Sequence, residues 1–148
     1  MLFKKAFLSK TVATLCLASA VSLTMFAPSV AMAKEPAIQQ KTIQFKKGAT
    51  SLKVNGKIKG YQVIDYKVTA AANQSMTVTL TSKNPSLYFN VIAPNATDEA
   101  IFIGSTSGNT YKDYLPESGT YTIRVYLMRN AARRGEVAPF TLNTRIVN

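Results

Sequence analysis

The chain has 148 residues, with 18 Lys plus Arg against 7 Asp plus Glu, no His, no Trp and one Cys. That length predicts one domain; the absence of histidine excludes a Ser-His-Asp triad, an imidazole metal ligand and a histidine pH switch, and one cysteine excludes a zinc finger or a CxxC redox centre. The formal charge of +11 points to anionic partners, so the positions of the charges matter.

The N-terminus carries Lys4, Lys5 and Lys10, then the apolar stretch 11–26, then Ala31-Met32-Ala33 before the charged Lys34-Glu35. A basic start, an apolar core and a small-x-small site predict a secretory signal peptide over residues 1–33, cleaved after Ala33 and leaving no membrane anchor. The core falls short of the ~20 apolar residues of a membrane span. Cys16 follows Leu15 and precedes further apolar residues, which is the wrong setting for a lipoprotein cysteine, so it leaves with the leader. The remaining residues 34–148 read as a single domain. They keep 15 basic residues against all seven acidic ones, a net charge of +8. The exported domain has no disulfide, so its stability must come from a core, and a chain of about 115 residues buries roughly two-thirds of its unfolded surface.

Residues 34–40 read as a loose arm, and beyond them the pattern has period two. Thr42-Ile43-Gln44-Phe45 alternates, and Lys46-Lys47-Gly48 turns the chain. Residues 51–54 form a short strand running into Asn55-Gly56, the strongest short hairpin signal. Ile64, Tyr66, Val68 and Ala70 share one face of the next strand, while Asp65, Lys67 and Thr69 share the other. After a turn at Asn73-Gln74, Met76, Val78 and Leu80 alternate with threonines. Asn84-Pro85 turns again, and the nearly continuous apolar run 87–92 fits a more central strand. Residues 94–99 are a loop, 100–103 a short strand and 104–109 (GSTSGN) a flexible connection. Residues 110–115 alternate and 116–119 turn. Tyr121, Ile123 and Val125 then oppose Thr122, Arg124 and Tyr126, and a last strand alternates from Phe140 to Ile146. About eight short strands rich in Thr, Val, Ile and Tyr predict an all-β antiparallel β-sandwich, with a closed barrel as the alternative.

Residues 127–138 (LMRNAARRGEVA) break this pattern. Asn130 is a good N-cap, Ala131 to Arg134 are helix formers and Gly135 is a terminator, so one helical turn is expected on the loop. Arg129 and Arg133, four apart, then lie near one face, with Arg134 beside them. The eight lysines between Lys46 and Lys112 precede Pro116, and every arginine follows it. Arginine offers a planar donor fork suited to carboxylate or phosphate, whereas lysine is a point charge.

Catalysis is not expected. Residues 34–148 contain neither His nor Cys, and Asp98-Glu99, the one adjacent acidic pair, points apart in an extended loop and makes a weak calcium site. No metal or cofactor site is expected. The lysines are scattered without the aromatic platforms of single-strand binders, so a nucleic-acid partner is not expected either; solubility and strand-edge protection account for them.

The stretches IKGYQVIDYKV (58–68) and SGNTYKDYLPESGTYTIRVYLMRNAARRGE (107–136), with the closing strand, resemble the periplasmic inhibitors of goose-type (g-type) lysozyme. The most specific part is Leu-Pro-x-x-Gly-x-Tyr-x-x-Arg-Val followed by Arg-Asn-x-Ala-Arg. The resemblance implies a small β-sandwich in the periplasm, no enzymatic activity, and g-type lysozyme as protein partner. It also implies an inhibitory surface of Arg129, Asn130, Arg133 and Tyr61, with Arg134 an additional arginine of the loop. Arg124 and Tyr126, on the strand leading into that loop, are expected to support it. The alternative is a cell-envelope binding module for peptidoglycan or another anionic glycan, which accounts better for the lysines and worse for the arginines.

Overall fold

The computed structural model describes residues 38–97 and 99–148; the leader 1–33, the following residues 34–37 and Asp98 lie outside them. Nine strands form among the described residues: β1 (Gln39–Thr42), β2 (Ser51–Lys59), β3 (Val63–Ala70), β4 (Ser75–Ser82), β5 (Leu87–Ile92), β6 (Ala100–Ile103), β7 (Thr110–Tyr114), β8 (Gly119–Leu127) and β9 (Val137–Val147). Two single helical turns, α1 (Gly104–Ser107) and α2 (Arg129–Arg133), interrupt them. The strands build one five-stranded sheet in the order β1-β3-β8-β5-β6 and one four-stranded sheet in the order β2-β9-β4-β7. The sheets stay separate, so the architecture is the sandwich and not the barrel.

The period-two pattern explains why the sheets stack. Ile64, Tyr66 and Val68 of β3, Phe89 and Val91 of β5, and Tyr121, Ile123 and Val125 of β8 are buried, as are Ile58, Met76, Val78, Leu80 and Leu142 of the second sheet. Each such fully buried side chain contributes ~1.5–3 kcal/mol of transfer free energy, which is how a domain without a disulfide holds together. Tyr66 meets Phe140 of the other sheet edge-on, with ring centroids 6.4 Å apart. Phe102 links Phe89 to Tyr111 at 5.1 and 5.4 Å.

Several local expectations are corrected. Asn55-Gly56 is no hairpin: β2 runs straight through it, with Asn55 opposite Thr141 and Gly56 opposite Phe140. A Cβ at Gly56 would overlap the Phe140 ring, so the glycine is there for space rather than for a positive φ. The first strand begins earlier than its alternation indicates. Gln39 to Thr42 pair with β3 in parallel, and Ile43 continues the ladder by donating its N–H to the Lys67 carbonyl at 2.8 Å. GSTSGN is not flexible throughout. Its first four residues form α1, whose Gly104 N–H donates to Asn90 Oδ1 at 3.3 Å, and a Cβ at Gly104 would overlap the Phe89 carbonyl. Asn73, by contrast, sits in the expected turn at φ 67°.

Candidate functional site

The break between β8 and β9 folds as the expected single helical turn, but its boundary differs. Met128, not Asn130, holds the N-cap position, with φ −57° and ψ 145° and no side-chain cap bond. Asn130 lies within α2 instead. Gly135, at φ 69°, ends the turn, and its N–H donates to the Ala132 carbonyl at 2.9 Å. The amphipathic logic is compressed into five residues. Ala131 and Ala132 are buried in the core, while Arg129, Asn130 and Arg133 are exposed. Apolar residues thus fix the turn and leave the polar ones facing solvent.

Two backbone contacts hold this loop in place. The Met128 N–H donates to the Ser86 carbonyl at 2.9 Å, and the Gly60 N–H donates to the Glu136 carbonyl at 2.9 Å. The second bond joins the loop to the turn that carries Tyr61, a residue 52 % exposed. Gly60 has φ +58°, and a Cβ there would sit 3.4 Å from the Ala132 carbonyl oxygen. Tyr61 is therefore displayed beside α2 although the two are remote in sequence.

Tyr61, Arg124, Tyr126, Met128 and Arg129 line one open groove of about 560 Å³, together with Gln62, Val63, Asn90 and Leu127. Its floor is the outward face of the five-stranded sheet, where Asp65, Arg124 and Asn90 are register partners on adjacent strands. Arg124 grips Asp65 with two bonds, Nε to Oδ1 at 2.8 Å and Nη2 to Oδ2 at 2.9 Å. The Asp65 side chain is 3 % exposed and that of Arg124 30 %. The Tyr126 hydroxyl donates to Asn90 Oδ1 at 3.1 Å. A bidentate, charge-assisted pair of this kind fixes the arginine's orientation, so the groove floor is stiff.

The expected residues divide into three sets. Tyr61, Arg124, Tyr126 and Arg129 meet in the groove. Asn130 and Arg133 stand exposed on α2 beyond its lining. Arg134 is turned to Glu136, donating from Nε at 2.9 Å and from Nη2 at 2.6 Å. Asn84 Nδ2 donates to the same carboxylate at 2.9 Å. The Asn84 amide, and after it Arg134, hold the Glu136 carboxyl below the usual carboxylate range. Neither Arg129 nor Arg133 has a hydrogen-bond or ion-pair partner among the described residues, and both are exposed.

Sequence reasoning missed Asp65, which the alternation assigns to an exposed face, and Asn90, Gln62 and Met128. Asp65 carried a signal: it is the only carboxylate between Lys41 and Pro94, and its surplus of basic neighbours makes an ionic partner the economical reading. Asn90 and Met128 carried none, because their place depends on cross-strand register. Among the described residues no group of three or more Asp, Glu, His or Cys side chains could hold a metal ion.

An exposed, preordered loop of unpaired arginines beside an aromatic ring, on a β-sandwich scaffold, defines a binding protein. No family model matches the chain. It is 28 % identical over 107 residues to the inhibitor of g-type lysozyme of Escherichia coli K12, covering 70 % of this chain and 78 % of that protein. Among solved structures, Aeromonas hydrophila PliG, a periplasmic lysozyme inhibitor of g-type lysozyme, superposes with a TM-score of 0.70 at 40 % identity, over 74 % of this chain and 97 % of that one. A mutant of the Escherichia coli PliG superposes with a TM-score of 0.62 at 26 % identity, over 75 % and 100 %. The chain belongs to the family of periplasmic inhibitors of g-type lysozyme, whose members are inhibitor proteins and not enzymes.

Proposed function

We propose that this chain inhibits g-type lysozyme in the periplasm, as the single domain 34–148 left after removal of the signal peptide 1–33, and that the β8–β9 loop blocks the muramidase cleft. The observation that carries this reading is the joint display of Arg129 and Tyr61 at one groove, held by the Gly60–Glu136 bond.

A muramidase cleft contains a catalytic carboxylic acid. A guanidinium fork on a rigid loop can engage an acidic group there and exclude the glycan. Preordering matters because each side chain immobilised on binding costs entropy, and here the backbone is already fixed by buried alanines. Arg129 and Arg133 supply the forks, Tyr61 a flat amphipathic surface and Asn130 further donors. Arg124 and Tyr126 support the loop from the groove floor. Arg134 lies at the margin, braced on Glu136. Aromatic and arginine side chains are the residue types that dominate interface energetics, with truncation of a hot spot costing ~2 kcal/mol or more.

The test is a panel of chicken-, goose- and invertebrate-type lysozymes assayed with the purified mature protein. Inhibition confined to the goose type is expected. Absence of inhibition of the goose type, or equal inhibition of all three, contradicts the reading.

A further inference from the structure

The two outward faces of the sandwich differ in chemistry. Outside the first sheet lie the Arg124–Asp65 pair, Tyr126 and the exposed Ile101 and Ile103 of the edge strand β6. Outside the second sheet the register builds three hydroxyl- and amide-bearing rows: Ser51-Arg145-Thr77-Lys112, Lys53-Asn143-Thr79-Thr110, and Asn55-Thr141-Thr81. Lys57 begins the next row opposite Pro139. The only carboxylate on the four strands, Asp113, pairs with the buried Met76 and so has the opposite parity. Lys53, Lys57, Lys112 and Arg145 are exposed, and none has a hydrogen-bond or ion-pair partner among the described residues.

This face is also grooved. A trough of about 330 Å³ is lined by Lys53, Thr79, Thr81, Thr141 and Asn143. It shares Thr81 and Thr141 with a second groove of about 560 Å³ lined also by Asn55, Ser82, Lys83 and Pro139. Side chains repeat at about 7 Å along each strand and about 5 Å across strands, so the hydroxyl and amide groups form a regular grid. The exposed Pro139 ring suits the C–H face of a sugar, hydroxyls and amides suit sugar hydroxyls and N-acetyl groups, and unpaired cations suit carboxylates. Solubility alone needs no carboxylate-free face, since mixed signs serve it equally.

We infer that the outer face of the β2-β9-β4-β7 sheet is a second binding surface, for peptidoglycan, whose sugars would meet the hydroxyl and amide grid and whose peptide stems carry the carboxylates for the cations. It is separate from the α2 loop and does not depend on the lysozyme reading. Bound there, the inhibitor sits on the polymer that a muramidase attacks, with the α2 loop still free.

The experiment is co-sedimentation of the mature protein with insoluble peptidoglycan sacculi, alongside the triple variant Lys53→Gln, Lys57→Gln, Arg145→Gln and the loop variant Arg129→Ala, Arg133→Ala. The wild type is expected to sediment at low ionic strength and to be released by salt. The triple variant should bind about tenfold more weakly, and the loop variant should bind as the wild type does. Sacculi with amidated carboxyl groups should lose the protein. A wild type that stays in the supernatant, a triple variant that sediments equally, or binding confined to lipopolysaccharide vesicles overturns the proposal. Lys112→Gln, on the far edge strand, gives a second, milder variant should the triple variant lose its circular dichroism spectrum. Unchanged lysozyme inhibition by the triple variant is the result expected for separate surfaces; its loss would place the lysozyme on this face and overturn the assignment.

Discussion

The backbone N–H of Gly60 donates to the carbonyl of Glu136 at 2.9 Å, and through that bond two loops remote in sequence become one surface. Glycine is favoured there by a left-handed φ of +58°, while a Cβ would only make ordinary contact with the Ala132 carbonyl at 3.4 Å. Gly60→Ala is therefore expected to destabilise the fold by roughly 1–2 kcal/mol, the cost of left-handed backbone for a residue with a Cβ. Chemical denaturation measures that loss. The same variant should weaken lysozyme inhibition at temperatures where it remains folded, because Tyr61 and Arg129 lose their fixed relation.

The Asp65–Arg124 pair predicts an asymmetry. Removing Arg124 leaves a carboxylate that is 3 % exposed without its fork, whereas removing Asp65 leaves a guanidinium that is 30 % exposed and can reach water. Breaking a buried pair costs most when the remaining charge stays buried. Arg124→Ala should cost about 2–3 kcal/mol and Asp65→Ala about half of that. Urea unfolding of both variants checks the order, and the double variant measures the coupling; equal losses from the two single variants would contradict the asymmetry.

Alkaline stability has a tyrosine in it. Burial first, then the Asp113 charge and Tyr121, pushes the Tyr111 phenol from 10 up to about 12. The folded-state value lies above the unfolded one, so Tyr111's contribution is intact below pH 10 and is lost as the pH rises to about 12, because the unfolded chain gives up its proton first. Tyr66 and Tyr121 are shifted the same way by burial. The domain should unfold within that window, with the Tyr111 tyrosinate appearing together with loss of the β-sheet signal. Tyr111→Phe should retain more stability there than the wild type. Ionisation of Tyr111 near pH 10, followed as the tyrosinate absorbance missing from Tyr111→Phe, with the sheet signal intact would contradict this.

Much of the fold was legible because inward and outward residues alternate cleanly: Met76, Val78 and Leu80 and the closing run from Phe140 read correctly as half-buried strands. Gly56 misled because a glycine needed for room beside a cross-strand ring looks identical to one needed for a turn. Gln39 and Gln40 gave no signal, since an edge strand exposed along its length has no apolar face to show. The arginine turn was legible as composition, from alanines that bury, a terminating glycine and arginines four apart. The groove was not. Asp65, Asn90 and Arg124 meet only through the register of three strands, and register lies in pairings between segments and not within any one of them.

Arg134 tests how finely the loop is divided. Its guanidinium is occupied by Glu136, whereas Arg129 and Arg133 have no partner among the described residues. Arg134→Ala should thus leave inhibition close to that of the wild type. Glu136 has a depressed carboxyl, so its ties to Asn84 and Arg134 are present above the unfolded-state value and are lost as the pH falls through the folded one. A carboxyl titration followed by NMR should show Glu136 protonating last among the glutamates.

The central claim is that the exposed arginines of the β8–β9 loop carry the inhibition. The direct measurement is the inhibition constant of the Arg129→Ala, Arg133→Ala variant against a goose-type lysozyme, with its fold confirmed by circular dichroism and Arg134→Ala as the control. The account predicts that the double variant loses inhibition by about 2 kcal/mol or more, a factor of about 30 at least, while the control does not. A folded double variant that inhibits as well as the wild type would contradict it.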